Sequence, residues 1–320
     1  MDGAQKAERI DSVLPAVEGL LRECCLCGHR CQAARLENAP GVCRTTSRDR
    51  FHVRYASATL HFGEEPPLVG SGGSGTVFFT HCNLRCVFCQ NYQISQMGLG
   101  EDVSYTALAG VFLELQERGA GNINLVTPTH YIYPILLGLG TAFRDGLRLP
   151  LVYNTNGYDS VELLQLLDGI IDIYLPDLKY MDAACARKYS KAKAYPDVAK
   201  EAIKEMYRQA GPLQTEGGMA WRGVIIRHLI LPENISGSYE FLLWLKDEHM
   251  ENVTLSLMSQ YAPRHRADEF PELRSRVSRK EYRDIVMYAA GLGFEHLLVQ
   301  GLDSSDYYLP DFERCEPFDV

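Results

Sequence analysis

The chain has 320 residues, 46% of them hydrophobic, and a formal net charge of −9. That is enough apolar material for one large α/β domain or a core with a smaller attachment, and it excludes a disordered chain. The acidic balance argues against nucleic acid as a partner held by general electrostatics.

The first residues, MDGAQKAERIDSVLPAV, lack the basic start and apolar run of a secretory signal. No stretch approaches the roughly 20 apolar residues that span a bilayer. The reading is therefore a cytoplasmic protein with no membrane partner and with reduced thiols. A run of positive residues (Arg264, His265, Arg266, then Arg274, Arg276, Arg279 and Lys280) reads as a solvated face.

Residues 1–70 read as a small, loop-rich, Cys-rich metal-binding segment, and SGGSG at Ser71–Gly75 as a flexible boundary. From 71 to 320 a rhythm follows. Apolar, β-rich runs at Thr76–Phe79, Ile123–Val126, Leu151–Tyr153, Ile171–Leu175, Val224–Leu229 and Val253–Met258, with a seventh at His296–Val299, alternate with helical patterns such as Tyr105–Arg118 and Ser278–Gly293. Runs apolar throughout are covered on both faces, and alternating β and α implies a parallel sheet with right-handed crossovers. The fold class is α/β: a partial or full (β/α) barrel of about six or seven units, plus a C-terminal extension. In such barrels the working residues follow the C-terminal ends of strands. THCNLRCVFCQN (80–91), Thr127-Pro128-Thr129-His130, Asn154-Thr155-Asn156-Gly157 and Asp177-Leu178-Lys179 all fall there.

The ten cysteines are clustered, which in a reducing compartment points to metal instead of disulfides. Cys185 and Cys315 stand alone and read as small buried hydrophobes. Cys24, Cys27, Cys31 and Cys43, with Cys25 as a spare, supply four thiolates for a closed site, either zinc or a second iron–sulfur cluster. Gly41 permits the close approach such a site needs. Cys82, Cys86 and Cys89 supply three, in the pattern C-x3-C-x2-C. Three thiolates hold a 4Fe-4S cluster and leave one iron open; the other reading is zinc completed by His81 or a distant residue.

An aromatic, Phe88, immediately before the third cysteine, in a loop after the first strand of a repeating βα chain, resembles the radical S-adenosylmethionine (SAM) superfamily. The resemblance implies a 4Fe-4S cluster whose open iron chelates SAM, reductive cleavage to a 5′-deoxyadenosyl radical, hydrogen abstraction, and an external electron donor such as flavodoxin or ferredoxin. It places Phe88 beside the adenine. Asn154-Thr155-Asn156-Gly157 looks like the D-T-N-G, and Asp177-Leu178-Lys179 the D-L-K, of the pyruvate formate-lyase activating enzymes. Arg227, with Pro232 beyond it, resembles their SAM-holding arginine. The phrases NINLVTPTHY, IYLPDLKYMD, LMSQYAP and LCGHRC resemble the activating enzyme-related branch.

By that resemblance the cofactor-binding set is Phe88, Thr127, Thr129, Asn154, Asn156, Asp177, Lys179 and Arg227. Three features depart from the activases. Thr127 and Thr129 stand where their Gly-Gly-Glu binds the methionyl amine, Asn154 replaces an aspartate and removes a negative charge from a monovalent-cation site, and no histidine matches their late one, near Ser259-Gln260-Tyr261. The substrate implied is a glycyl residue of a partner protein. The alternatives are another peptide or a small metabolite, or a non-catalytic iron–sulfur electron-transfer or docking module. A zinc-ribbon nucleic-acid binder is disfavoured by the acidity.

Overall fold

A computed structural model describes residues 1–45, 48–302, 309–314 and 317–318; Cys315 lies outside the described residues. Among the described residues ten strands make one sheet: β1 (His52–His61), β2 (Ser74–Phe79), β3 (Glu101–Ser104), β4 (Ile123–Val126), β5 (Leu151–Thr155), β6 (Ile173–Pro176), β7 (Gln214–Glu216), β8 (Met219–Leu229), β9 (Thr254–Met258) and β10 (Leu297–Val299). The spatial order is β10-β9-β8-β6-β5-β4-β2-β1-β3, with β7 paired to β8 alone. From β2 to β10 all neighbours are parallel. Among the described residues the ends do not meet, so the architecture is a partial (β/α) barrel of seven parallel strands.

All seven apolar runs became these parallel strands. Every residue of β2, β5, β6 and β9 is buried, as two covered faces require. The crossover helices start where side chains can cap them. Ser104 accepts from the Ala107 amide, Ser160 from Leu163, and Ser278 forms a capping box with Glu281 ahead of the helix Arg279–Gly291.

Residues 1–70 are less irregular than their loop-rich reading. They contain the helix Gly3–Arg22 and the ten-residue strand β1. The helix is amphipathic: Ile10, Val13, Val17 and Leu21 recur at helical spacing and are buried. β1 runs antiparallel between β2 and β3 and buries Val53, Ser57 and Thr59, two of them small polar residues that carry no apolar signature. The Ser71–Gly75 stretch is tied into the fold, and Ser74 and Gly75 already open β2. The Gly73 amide donates to Val69, the Gly121 amide donates to Gly73, and a Cβ on Gly72 would run into the Gly119 carbonyl oxygen. After β10, Phe312 and Phe318 pack on Phe78 of β2, so the C-terminal extension closes back over the first core strand.

Candidate active site

The loop after β2 carries the three cysteines. Its backbone is pinned from two sides: the Arg85 and Val87 amides donate to Ser190 and Tyr189, and the Arg266 amide donates to Val87. Cys82 and Cys86 are buried and Cys89 is half-buried. Each sulfur has a polar neighbour from elsewhere in the chain. Asn156 Nδ2 donates to Cys82 Sγ at 3.3 Å, Ser190 Oγ to Cys86 Sγ at 3.0 Å, and Cys89 Sγ lies 3.2 Å from Ser95 Oγ. Phe88 is wedged edge-on against Tyr180 and Tyr261.

All three cysteines line a cavity of about 220 Å³ at the C-terminal mouth of the barrel. Phe88, Thr127, Asn154, Asn156, Asp177, Lys179 and Arg227 line it too. Strand ends distant in sequence thus converge on one mouth. Thr129 does not line this cavity. It is buried, and its hydroxyl donates to Asp159 at 2.6 Å.

Arg227 organises the polar side of the cavity. Its Nε donates to Asp177 Oδ1 at 2.8 Å, Nη1 to Glu64 Oε1 at 3.2 Å and Nη2 to Asn154 Oδ1 at 2.7 Å. Lys179 pairs with the other Asp177 oxygen. Burial alone would raise the Asp177 carboxyl, but the Arg227 and Lys179 cations outweigh it and hold it below its ordinary range. Glu64 also accepts from Asn154 Nδ2 at 2.9 Å and from Asn124 Nδ2 at 2.5 Å. The negative charge that Asn154 lacks is therefore present, delivered from the loop after β1.

Thr127 has φ +57, a left-handed conformation that costs a β-branched residue energy, and its amide donates to the Asn154 carbonyl oxygen at 2.8 Å. The strain sits at the strand end that faces the cavity, where functional strain concentrates.

Two residues that hold the site's side chains in place escaped the sequence reading. Glu64 carried no local signal, because its role depends on β1 lying beside β2. Asp159, fully buried, accepts from Thr129, Tyr153 and Thr155 at 2.6, 3.0 and 2.5 Å. Its clue was an acid five residues beyond Asn154 in an otherwise apolar and hydroxyl-rich stretch.

The four N-terminal cysteines line a second, much smaller cavity. Cys25 is not among its lining residues; its thiol points to the Leu20 carbonyl oxygen at 3.8 Å. Cys185 is half-buried. Among the described residues, no three His, Cys, Asp or Glu side chains already stand at the spacing one metal ion takes.

The donor set fits a cluster at the larger cavity. Burial pushes Cys82 up to about 12 and Cys89 to about 11, so the thiols ionise only when a cation takes their charge, and the cavity has room for a group of several atoms beside them.

Fold and site define a partial (β/α) barrel with a three-cysteine loop at the mouth, after its first parallel strand. The sequence model of the Radical SAM superfamily matches residues 76–220. "Uncharacterized protein MJ0674" of Methanocaldococcus jannaschii is 30% identical over 284 residues, spanning 86% of this chain and 77% of that protein. The chain belongs to the radical SAM superfamily. Membership implies a 4Fe-4S cluster, SAM and an electron donor. Among the described residues no helix is long and apolar enough to cross a membrane.

Proposed function

We propose that the chain cleaves SAM reductively in the 220 Å³ cavity and uses the radical to take hydrogen from a glycyl residue of a partner protein. The observation that carries this reading is the convergence of Asn154, Asp177, Lys179 and Arg227 on the cavity that holds the three thiols. When bound, the cluster supplies the electron that splits SAM.

The chain's own residues bind and orient. Three of the five Arg227 N–H groups are taken by Asp177, Glu64 and Asn154, which fixes the plane of the guanidinium and leaves two N–H groups for a carboxylate. Asp177 and Glu64, both acceptors, suit the ammonium end of an amino acid or a bound monovalent cation. Thr127, turned by its left-handed backbone, stands where a glycine-rich contact is replaced by a hydroxyl. Phe88 offers an apolar ring to a base, and its two tyrosine neighbours keep that wall dry.

A second reading, hydrogen abstraction from a small metabolite, is favoured by an adjoining chamber. It measures about 120 Å³, shares Asn154, Arg227 and Gln260 with the main cavity, and is bounded by Phe78 and Phe318. Anaerobic reconstitution with SAM and reductant tests the shared chemistry. 5′-Deoxyadenosine should appear, and should vanish when Cys82, Cys86 and Cys89 are all alanine; a SAM-independent electron paramagnetic resonance signal with no product overturns both readings. A glycyl-radical doublet on an added partner protein separates the first from the second.

A further inference from the structure

The cavity beneath the N-terminal segment measures about 10 Å³. Cys24, Cys27, Cys31 and Cys43 all line it. The volume is room for about one water-sized body as the side chains stand, which suits a single ion better than a cluster of eight heavy atoms. The thiols crowd because Gly41 lets them: a Cβ there would meet Cys31 Sγ at 3.0 Å and Cys43 Sγ at 3.5 Å. Arg35 Nη1 donates to Cys43 Sγ at 3.4 Å, which holds that side chain at the cavity wall.

His130 gives a second, independent sign. It is buried and lines the same cavity. Its Nε2 is 2.7 Å from the Thr80 carbonyl oxygen, and a carbonyl accepts only from an N–H. The proton of the neutral ring is therefore on Nε2, and Nδ1 is left as a lone pair. That Nδ1 is buried with no hydrogen-bond partner among the described residues. An imidazole tied to a backbone carbonyl through one nitrogen and bare at the other is arranged as a metal ligand.

We propose that this cavity binds one soft divalent cation, zinc by its ligand type, through four donors drawn from the thiolates of Cys24, Cys27, Cys31 and Cys43 and from His130 Nδ1. The donors do not yet stand at single-ion spacing. Closing them around one ion requires side-chain rotations on short loops, which are fast and low in cost, whereas a second cluster requires the cavity to widen well beyond its present volume.

The ion has a structural task beside the larger site. The Gly28 amide donates to Tyr158, the Ser160 amide donates to Leu26, and Asn83 Nδ2 donates to the Tyr158 carbonyl, each at 3.1–3.3 Å. Asn156, the donor to Cys82, also gives its amide to Asn83 Oδ1 at 2.6 Å. A metal in the small cavity therefore clamps the segment that holds the Asn83–Asn156 pair in place.

The test uses the full chain with Cys82, Cys86 and Cys89 changed to alanine, so that only the N-terminal site remains. Purified from zinc-supplemented cells, it should carry about one zinc per chain. After chelation, added Co²⁺ should give the visible bands of a tetrahedral site with thiolate charge transfer. Because any four donors out of five include Cys27 or Cys31, adding Cys27→Ala and Cys31→Ala should weaken cobalt binding at least a hundredfold, while Cys25→Ala should leave it unchanged. Iron and sulfide bound in place of zinc, or a Co²⁺ spectrum without tetrahedral bands, overturns the proposal. Both of those readings come from the parent chain, so they stand even if the double variant fails to fold.

Discussion

Asn154 binds Glu64 with one end of its side chain and Arg227 with the other: its amide donates to the Glu64 carboxylate at 2.9 Å, and its oxygen accepts from the guanidinium at 2.7 Å. The neutral amide is thus the bridge between an anion and a cation that are themselves in contact at 3.2 Å. An aspartate at 154 could accept from Arg227 but would face Glu64 oxygen to oxygen. Asparagine is the residue type that suits this site once Glu64 is there.

Asn154→Asp is accordingly expected to weaken SAM binding by about 1–3 kcal/mol, roughly fivefold or more, because it breaks one hydrogen bond and sets two largely buried carboxylates against each other. Glu64→Gln in the same chain restores a donor opposite the new aspartate. The double variant should therefore bind better than the sum of the single changes allows, by more than about 0.5 kcal/mol in a double-mutant cycle. Calorimetry on matched, reconstituted proteins measures it. Additive losses would break the link between these two residues.

The same pair shows what could be read from the sequence and what could not. The parallel strands were legible because each is an apolar run with both faces covered, and the strand-end motifs were legible because they are local. Asn154, Asp177 and Arg227 could be placed on one mouth by strand order alone. Glu64 could not, since its position depends on β1 pairing antiparallel with β2, and β1 buries Ser57 and Thr59 beside a single apolar residue, Val53, so no apolar stripe marks it. Thr129 shows the opposite failure. It follows a strand end and looks like a ligand contact, but a buried acid five residues beyond Asn154 claims its hydroxyl.

Arg227→Ala should weaken SAM binding by about 2–5 kcal/mol, thirtyfold or more, with iron content unchanged. Part of that loss comes from leaving Asp177 and Glu64 without their shared cation. Arg227→Lys keeps the charge and gives up the planar fork. If the fork orients a carboxylate, the lysine variant should stay well below the native affinity while recovering most of the alanine variant's lost thermal stability. Full recovery of affinity would mean that only charge matters there.

Glu65, next to Glu64, is buried, and burial raises its carboxyl from an ordinary value near 4.5 to about 7 despite the opposing pull of Arg227. The native state therefore holds this proton more tightly than the unfolded chain. Its contribution to stability is fully present below about pH 4.5 and is lost as pH rises toward 7, a total of about 3 kcal/mol. Glu65→Gln mimics the protonated form and should flatten that fall. Urea unfolding of the chain with Cys82, Cys86 and Cys89 as alanine, with and without Glu65→Gln, measures the difference between pH 4.5 and 8. A difference that does not grow across that window contradicts a neutral Glu65.

Asn156 makes a prediction about electrons. Its Nδ2 donates to Cys82 Sγ at 3.3 Å, and a hydrogen bond to a ligating sulfur stabilises the more negative, reduced cluster more than the oxidised one. Removing it should lower the reduction potential. A neutral hydrogen bond is worth roughly 0.5–1.5 kcal/mol, which for one electron corresponds to about 20–60 mV. Asn156→Ala, reconstituted to the same iron content, should therefore titrate lower than the parent by that amount when reduction is followed by electron paramagnetic resonance. Asn156→Asp should go further down, since a carboxylate beside the sulfur adds negative charge as well as removing the donor. A potential that stays fixed in both variants would place Cys82 outside the cluster's ligands, and a potential that rises would reverse the sign of the argument from hydrogen bonding.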